Sequence, residues 1–164
     1  REAAFVEENR RHAIDRVDRR ILDLLQREGA LSVAEVASRT GLSTTTCWRR
    51  IQHMEQSGVI RGRVALLDRS ALGLDVTIFA HVKLSTQGRD AIAAFAEAIR
   101  ERPEVLDCYT TMGEWDFMLR IVTRDIKAYE AFYLDHLSKL PYVQSINSSV
   151  TVTVIKETTV LPIE

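Results

Sequence analysis

The chain has 164 residues, of which 46 % are apolar and 27 % charged, and its net charge is −1. That is enough apolar content for one good core or two small ones, and the overall charge gives no sign of a nucleic-acid partner. No run is apolar and long enough to span a membrane, and the start has no signal-peptide h-region. Two cysteines, Cys47 and Cys108, fall in different regions, and no C-x-x-C or clustered histidines suggest a metal, which fits a reducing cytoplasm. The distribution of charge says more. Residues 1–63 hold 12 arginines, no lysine and 9 acids, a balance of +3; residues 64–164 balance to −4. A basic module on an acidic one is the asymmetry of a DNA-binding unit joined to a unit that does not bind DNA.

Residues 1–13 are polar and end in Arg10, Arg11 and His12, which reads as a frayed helix, a disordered tail or an arm touching DNA. Ile14 to Glu28 is predicted to be an amphipathic helix. Asp15 caps it, Asp18 stands at the third position, and Ile14, Val17, Ile21, Leu24 and Leu25 form its stripe. Ser32 and Glu35 have capping-box spacing, and Gly41 stands where a helix turns out through a left-handed residue. Leu42 follows as a buried turn residue, and Ser43 opens a second helix. Its apolar side carries Cys47, Ile51 and Met54, and Gly58 stops it. Its other side carries Thr44, Thr45, Thr46, Arg49, Arg50 and His53.

Hydroxyls at the start of such a helix bind phosphates or base edges, and arginines one turn on fork onto guanine or pair with phosphate. The stretch from Leu31 to Arg63 therefore reads as a helix-turn-helix, with Ser43, Thr44, Thr45, Thr46, Arg49, Arg50 and His53 toward double-stranded DNA. The bland alternative is a solvated helix face. The caps, the glycine turn and the threonine-arginine cluster arriving together favour the DNA reading. Val59 to Leu66 suggests a wing-like strand pair around Gly62, whose flanking Arg61 and Arg63 either reach phosphates or form a solvated turn.

Leu67 to Leu74 reads as a linker. Val76 to Leu84 alternates strictly, as a half-buried strand does. Ile92, Phe95, Ala96 and Ile99 recur at helical spacing before Pro103. Val105 to Met112 and Trp115 to Val122 read as strands joined by a type II′ turn at Gly113-Glu114. Asp125 caps a helix carrying Tyr129, Phe132, Tyr133, Leu137 and Leu140, and Ser145 to Ile155 reads as a last, long strand. The order βαββαβ is that of a ferredoxin-like fold. The predicted class is thus α+β: a winged helix-turn-helix domain over 14–66, a linker over 67–74 and a ferredoxin-like domain over 75–157. The sheet face away from the helices, with Phe79, His81 and Ile155 among threonines and serines, asks for a second subunit as cover.

These pieces in this order resemble the Lrp/AsnC (feast/famine) family of transcriptional regulators. The matching residues are Ile14-Asp15-Arg16-Val17-Asp18-Arg19, Gly41-Leu42-Ser43, Cys47 with Arg50, Gly58-Val59-Ile60, Ala65-Leu66-Leu67-Asp68 and Gly113-Glu114-Trp115-Asp116-Phe117. The resemblance implies homodimers through the C-terminal domain, assembly up to octamers, and an amino-acid effector held between C-terminal domains. It implies a ligand site at Met112, Gly113, Glu114, Trp115 and Asp116, with Ser148, Ser149 and Thr151 contributing from a neighbouring subunit. For Asp116 the rival role is a carboxylate that stabilises the turn, and for Trp115 it is packing. Many members carry prolines where Thr44 and Thr46 stand here. Cys47-Trp48 and the ending Thr158-Thr159-Val160-Leu161-Pro162-Ile163 resemble a subgroup linked to sulfur or other small amino acids. The implied function is regulation of amino-acid metabolism genes in response to an amino acid; the alternative is a DNA-organising protein without an effector. No nucleophile-base pair or phosphate loop points to an enzyme.

Overall fold

The computed structural model describes residues 14–163, so the expectations for residues 1–13 lie outside the described residues. The chain forms two compact units. Leu67–Ile155 make one, and the segments up to Leu66 and from Lys156 make the other.

The first unit has three helices: α1 Arg16–Arg27, α2 Val33–Thr40 and α3 Thr44–Gln56. Local chemistry sets their ends. Asp15 caps α1 by accepting from Val17 and Asp18 N–H, and the Asp18 carboxylate returns to the Asp15 amide, closing a capping box. Ser32 and Glu35 do the same for α2, which ends at Gly41 in the left-handed region, φ 73°. Ser43 caps α3. Ile21, Leu25, Leu31, Val36, Ala37, Cys47, Ile51 and Met54 form the core, and Leu42 and Ile60 pack against it. Burial pushes the Cys47 thiol pKa up, as suits a small core hydrophobe. The wing strands expected over 59–66 do not form. Residues 61–68 carry no regular structure, and Val64 and Leu66 are exposed. An alternating apolar run becomes a strand only where another strand pairs with it.

The second unit begins with a short 3-10 turn at Ser70–Leu72. It continues as β1 Val76–Leu84, α4 Arg89–Arg100, β2 Val105–Thr110, β3 Phe117–Thr123, α5 Ile126–Asp135 and β4 Val143–Val150. The strands lie in the order β2-β3-β1-β4, and every neighbouring pair is antiparallel. This is the ferredoxin-like βαββαβ sheet. Ile78, Ala80, Val82 and Leu84 of β1 and Phe117, Leu119 and Ile121 of β3 point into one core with Phe95, Ile99, Phe132 and Leu137. The Phe95 and Phe117 rings stack obliquely at 4.3 Å. Residues of opposite parity carry the other face, where Phe79 stands between Arg120 and Ser149, and His81 between Met118 and Asn147. Arg120 pairs with Asp107 across β2 and β3 on that face.

Three boundaries differ from the sequence expectation. The helix capped by Asp125 stops at Asp135, and Leu137 lies in a separate 3-10 turn, Leu137–Lys139. The strand expected over Ser145 to Ile155 spans Val143–Val150, so Ile155 lies outside the sheet, although Thr151 N–H still donates to Thr77 C=O at 2.9 Å. The hairpin between β2 and β3 is not a two-residue type II′ turn. Its closing bond runs from Thr111 N–H to Asp116 C=O at 2.9 Å, which leaves Met112, Gly113, Glu114 and Trp115 in the loop. Gly113 takes φ 126°, outside the reach of most L side chains.

Candidate nucleic-acid interface and ligand site

Helix α3 turns its hydroxyls and one arginine outward. Thr44, Thr45, Arg49 and His53 are exposed, and Thr46 is half-buried. Ser43 and Thr46 serve each other. The Ser43 hydroxyl accepts from Thr46 N–H at 3.2 Å and bonds the Thr46 hydroxyl at 2.9 Å, so this pair builds the helix start. Trp48, 53 % exposed, shares the face of Thr44, Thr45 and Arg49 by its spacing.

Arg50 does not share that freedom. Its Nη1 donates to Asp15 Oδ2 at 2.7 Å and to Asp18 Oδ1 at 2.8 Å. The Asp18 side chain is 1 % exposed. Arg50 therefore joins α3 to the capped start of α1, and its Nη1 is engaged within the unit. The pair of carboxylates raises the Arg50 pKa. The Asp15 carboxyl is held below its ordinary range, first by the Asp18 amide and then by Arg50. Arg63 turns back to Glu55 at 3.5 Å, while Arg61 stands exposed without such a partner among the described residues.

The expected ligand residues divide. In the hairpin loop, Met112, Gly113 and Glu114 are exposed, and Trp115 is half-buried with its ring 6.1 Å from that of His81. The Thr111 hydroxyl donates to Trp115 C=O at 2.6 Å. Asp116 is fully engaged. Its amide donates to Val82 C=O at 3.0 Å, and its carboxylate accepts from Leu84 N–H at 2.7 Å and from Gln87 Nε2 at 3.0 Å. It thus pins the hairpin loop to the end of β1, the structural role weighed against ligand binding above.

Ser148 and Ser149 point to opposite faces of the sheet. Ser148 pairs opposite the buried Ala80, and its hydroxyl meets Tyr129 of α5. Ser149 stands opposite Phe79 on the open face, and the Thr151 hydroxyl donates to Thr77 C=O at 3.0 Å. One surface of one chain does not gather all eight residues. A cleft of about 450 Å3 in this unit lies beyond the opposite end of β3 and is lined by Glu104, Val122, Arg124, Phe132 and His136. Among the described residues no cluster of His, Cys, Asp or Glu could hold a metal.

One contact was not signalled by any local pattern. The Gln26 side chain of α1 accepts from Leu161 N–H at 2.8 Å and donates to Leu161 C=O at 3.0 Å, which seats the tail on α1.

Residues 77–161 match the model of the Lrp/AsnC ligand binding domain, and residues 14–61 match a winged helix-turn-helix DNA-binding model. The chain belongs to the Lrp/AsnC family. Among Lrp/AsnC relatives it is 36 % identical over 151 residues to the DNA-binding transcriptional activator DecR of Escherichia coli, covering 92 % of this chain and 99 % of that one. It is 38 % identical to the Bkd operon transcriptional regulator of Pseudomonas aeruginosa, over 83 % of this chain and 89 % of the relative. A Neisseria meningitidis transcriptional regulator solved with L-methionine superposes with a TM-score of 0.87 at 36 % identity, over 92 % of this chain and 97 % of that one. An AsnC family regulator of Agrobacterium tumefaciens superposes at 0.86 with 44 % identity, over 90 % and 96 %. This Lrp/AsnC protein is a DNA-binding transcriptional regulator with a ligand-binding domain. No helix among the described residues is long and apolar enough to cross a membrane.

Proposed function

We propose that this protein reads duplex DNA through α3 and changes that binding when an amino acid occupies its ferredoxin-like domain, so regulating genes of amino-acid metabolism. The observation that carries the reading is the pairing of an exposed Thr44, Thr45 and Arg49 face with a pinned hairpin loop on a separate unit. Ser43 and Thr46 shape the start of the reading helix, Arg50 positions it, and His53 and Arg61 flank it. Arg63, tied to Glu55, contributes less.

The effector is an amino acid of small or sulfur-containing type. The L-methionine bound to the Neisseria relative supports that class. In this reading the exposed loop of Met112, Gly113 and Glu114 presents backbone amides to the ligand carboxylate, and Trp115 borders it. Asp116 holds the loop in place. Ser149 contributes from the open sheet face, with Thr151 at its edge and Ser148 behind it. The open face, with Phe79 and Met118 among polar side chains, is covered by a second copy, and dimers assemble further, up to octamers. The protein acts in the cytoplasm and performs no chemistry on its ligand. The effector works by population shift: bound between C-terminal domains, it favours one packing and hence one spacing of the α3 helices.

The test is a thermal-shift screen against the proteinogenic amino acids, followed by DNA-binding titrations with and without each hit. A ligand that binds only the folded state raises the melting temperature by mass action. We expect methionine, cysteine or another small amino acid to do so and to change DNA affinity. DNA binding that no amino acid alters overturns the effector reading and leaves a DNA-organising protein.

A further inference from the structure

Three arginines of α1 lie off the recognition helix and without an acidic partner among the described residues. They are Arg16, Arg19 and Arg20, all exposed, on the side of α1 turned away from the core. With Arg39 and Thr40 at the end of α2 they line a groove of about 380 Å3. The groove's one acid among the described residues, Asp23, is already occupied by Gln26 at 3.1 Å and Arg27 at 3.0 Å, and Arg39 is tied to Glu28 at 2.6 Å. Among the described residues nothing compensates the positive charge of the other three.

Helix physics does not account for their position. Arg16 and Arg19 stand in the first turn or beside it, where the helix dipole favours acids and disfavours cations. Arg16 and Arg20 are four apart and Arg16 and Arg19 three apart, so like charges face each other at a cost of a few tenths of a kcal/mol per pair. A cluster kept against the local preference points to a ligand. The chemistry required is anionic, repeated and outside a closed cavity. The rise from Arg16 to Arg20 is about 6 Å, close to the axial rise of two nucleotide steps on one strand. The bonds from Arg50 to Asp15 and Asp18 fix this turn of α1 beside the recognition helix.

We infer that Arg16, Arg19 and Arg20 form a second DNA contact, a phosphodiester clamp that grips the backbone flanking the groove entered by α3. The inference rests on the DNA-binding reading above. It assigns α1 the sequence-independent part of the affinity and leaves discrimination to α3.

The experiment measures binding of the full chain to a mixed-sequence DNA duplex across a salt series. It compares the wild type with the variant carrying Arg16→Gln, Arg19→Gln and Arg20→Gln. Each lost phosphate contact lowers the slope of log affinity against log salt by about 0.9, so we expect the slope to fall by about 2 to 3. The variant should melt no lower than wild type, since the substitutions relieve repulsion. An unchanged slope in a folded variant overturns the clamp while leaving the DNA-binding reading intact. Failure of the wild type to bind the duplex overturns both. A third arm adds pyrophosphate. Unchanged duplex binding, with pyrophosphate raising the melting temperature of the wild type alone, overturns the clamp and assigns the groove to a free phosphorylated small molecule.

Discussion

Arg50 of the recognition helix reaches the buried carboxylate of Asp18 at 2.8 Å, although 32 residues separate them. The bond turns an arginine on the DNA-reading element into part of the fold. Truncating it takes the guanidinium away from a carboxylate that is 1 % exposed. Stranding one member of such a pair costs about 1–3 kcal/mol, tempered here because Arg50 itself is part-exposed. Arg50→Ala should therefore lower the urea midpoint of the helix-turn-helix unit. A midpoint equal to wild type would show that the pair carries no stability.

Arg49 should behave in the opposite way. It is exposed on α3 and has no partner to lose among the described residues. Arg49→Ala should leave the melting temperature within about 1 kcal/mol of wild-type stability. It should weaken operator binding and flatten its salt dependence by about one contact. Wild-type binding curves for this variant would remove Arg49 from the interface.

The capping carboxylates make the same unit sensitive to acid. The Asp15 pKa is depressed, first by the Asp18 amide and then by Arg50. The Glu35 pKa is depressed, first by the Ser32 hydroxyl and then by its amide. A carboxyl with a lowered folded pKa contributes stability that is complete above its unfolded value, about pH 4, and is lost as pH falls through the folded value. Asp15→Asn keeps a capping oxygen but loses the charge. The gap in melting temperature between it and wild type should be open near neutral pH and close below about pH 4. A gap that stays constant down the pH series would contradict the assignment.

Asp116 should act by position rather than by charge. Its carboxylate accepts from the Leu84 amide and the Gln87 side chain. Asp116→Asn retains an oxygen for Leu84, so the ligand-induced thermal shift should survive in reduced form. Asp116→Ala removes both bonds and should abolish it while leaving DNA binding in place. Equal loss in the two variants would mean that the negative charge itself meets the ligand.

These cases show where the sequence was legible. The caps at Asp15, Ser32 and Ser43 and the left-handed exit at Gly41 depend on neighbours within four residues, and each appears where the pattern placed it. The alternation of β1 and the βαββαβ order were equally readable, because burial on one face of a sheet imposes a period of two. Arg50 was not. Its type and spacing suit a phosphate as well as a carboxylate, and only the fold brings Asp15 and Asp18 to it. Gly113-Glu114 suggested a two-residue turn, yet the Thr111–Asp116 bond and the tie from Asp116 to β1 open a wider loop. The run from Val59 to Leu66 had a strand's composition but no pairing strand. Ser148 and Ser149 were grouped by the family resemblance, and the pleat turns them to opposite faces.

The tie between Gln26 and Leu161 sets an order on synthesis. The two residues are 135 positions apart. At about 5–20 residues per second, on the order of ten seconds pass between their additions to the growing chain. Through that interval the three helices have emerged and the ferredoxin-like sheet is still being made. The outer seam of α1 closes only after β4 has left the ribosome, so the DNA-reading unit is begun first and finished last.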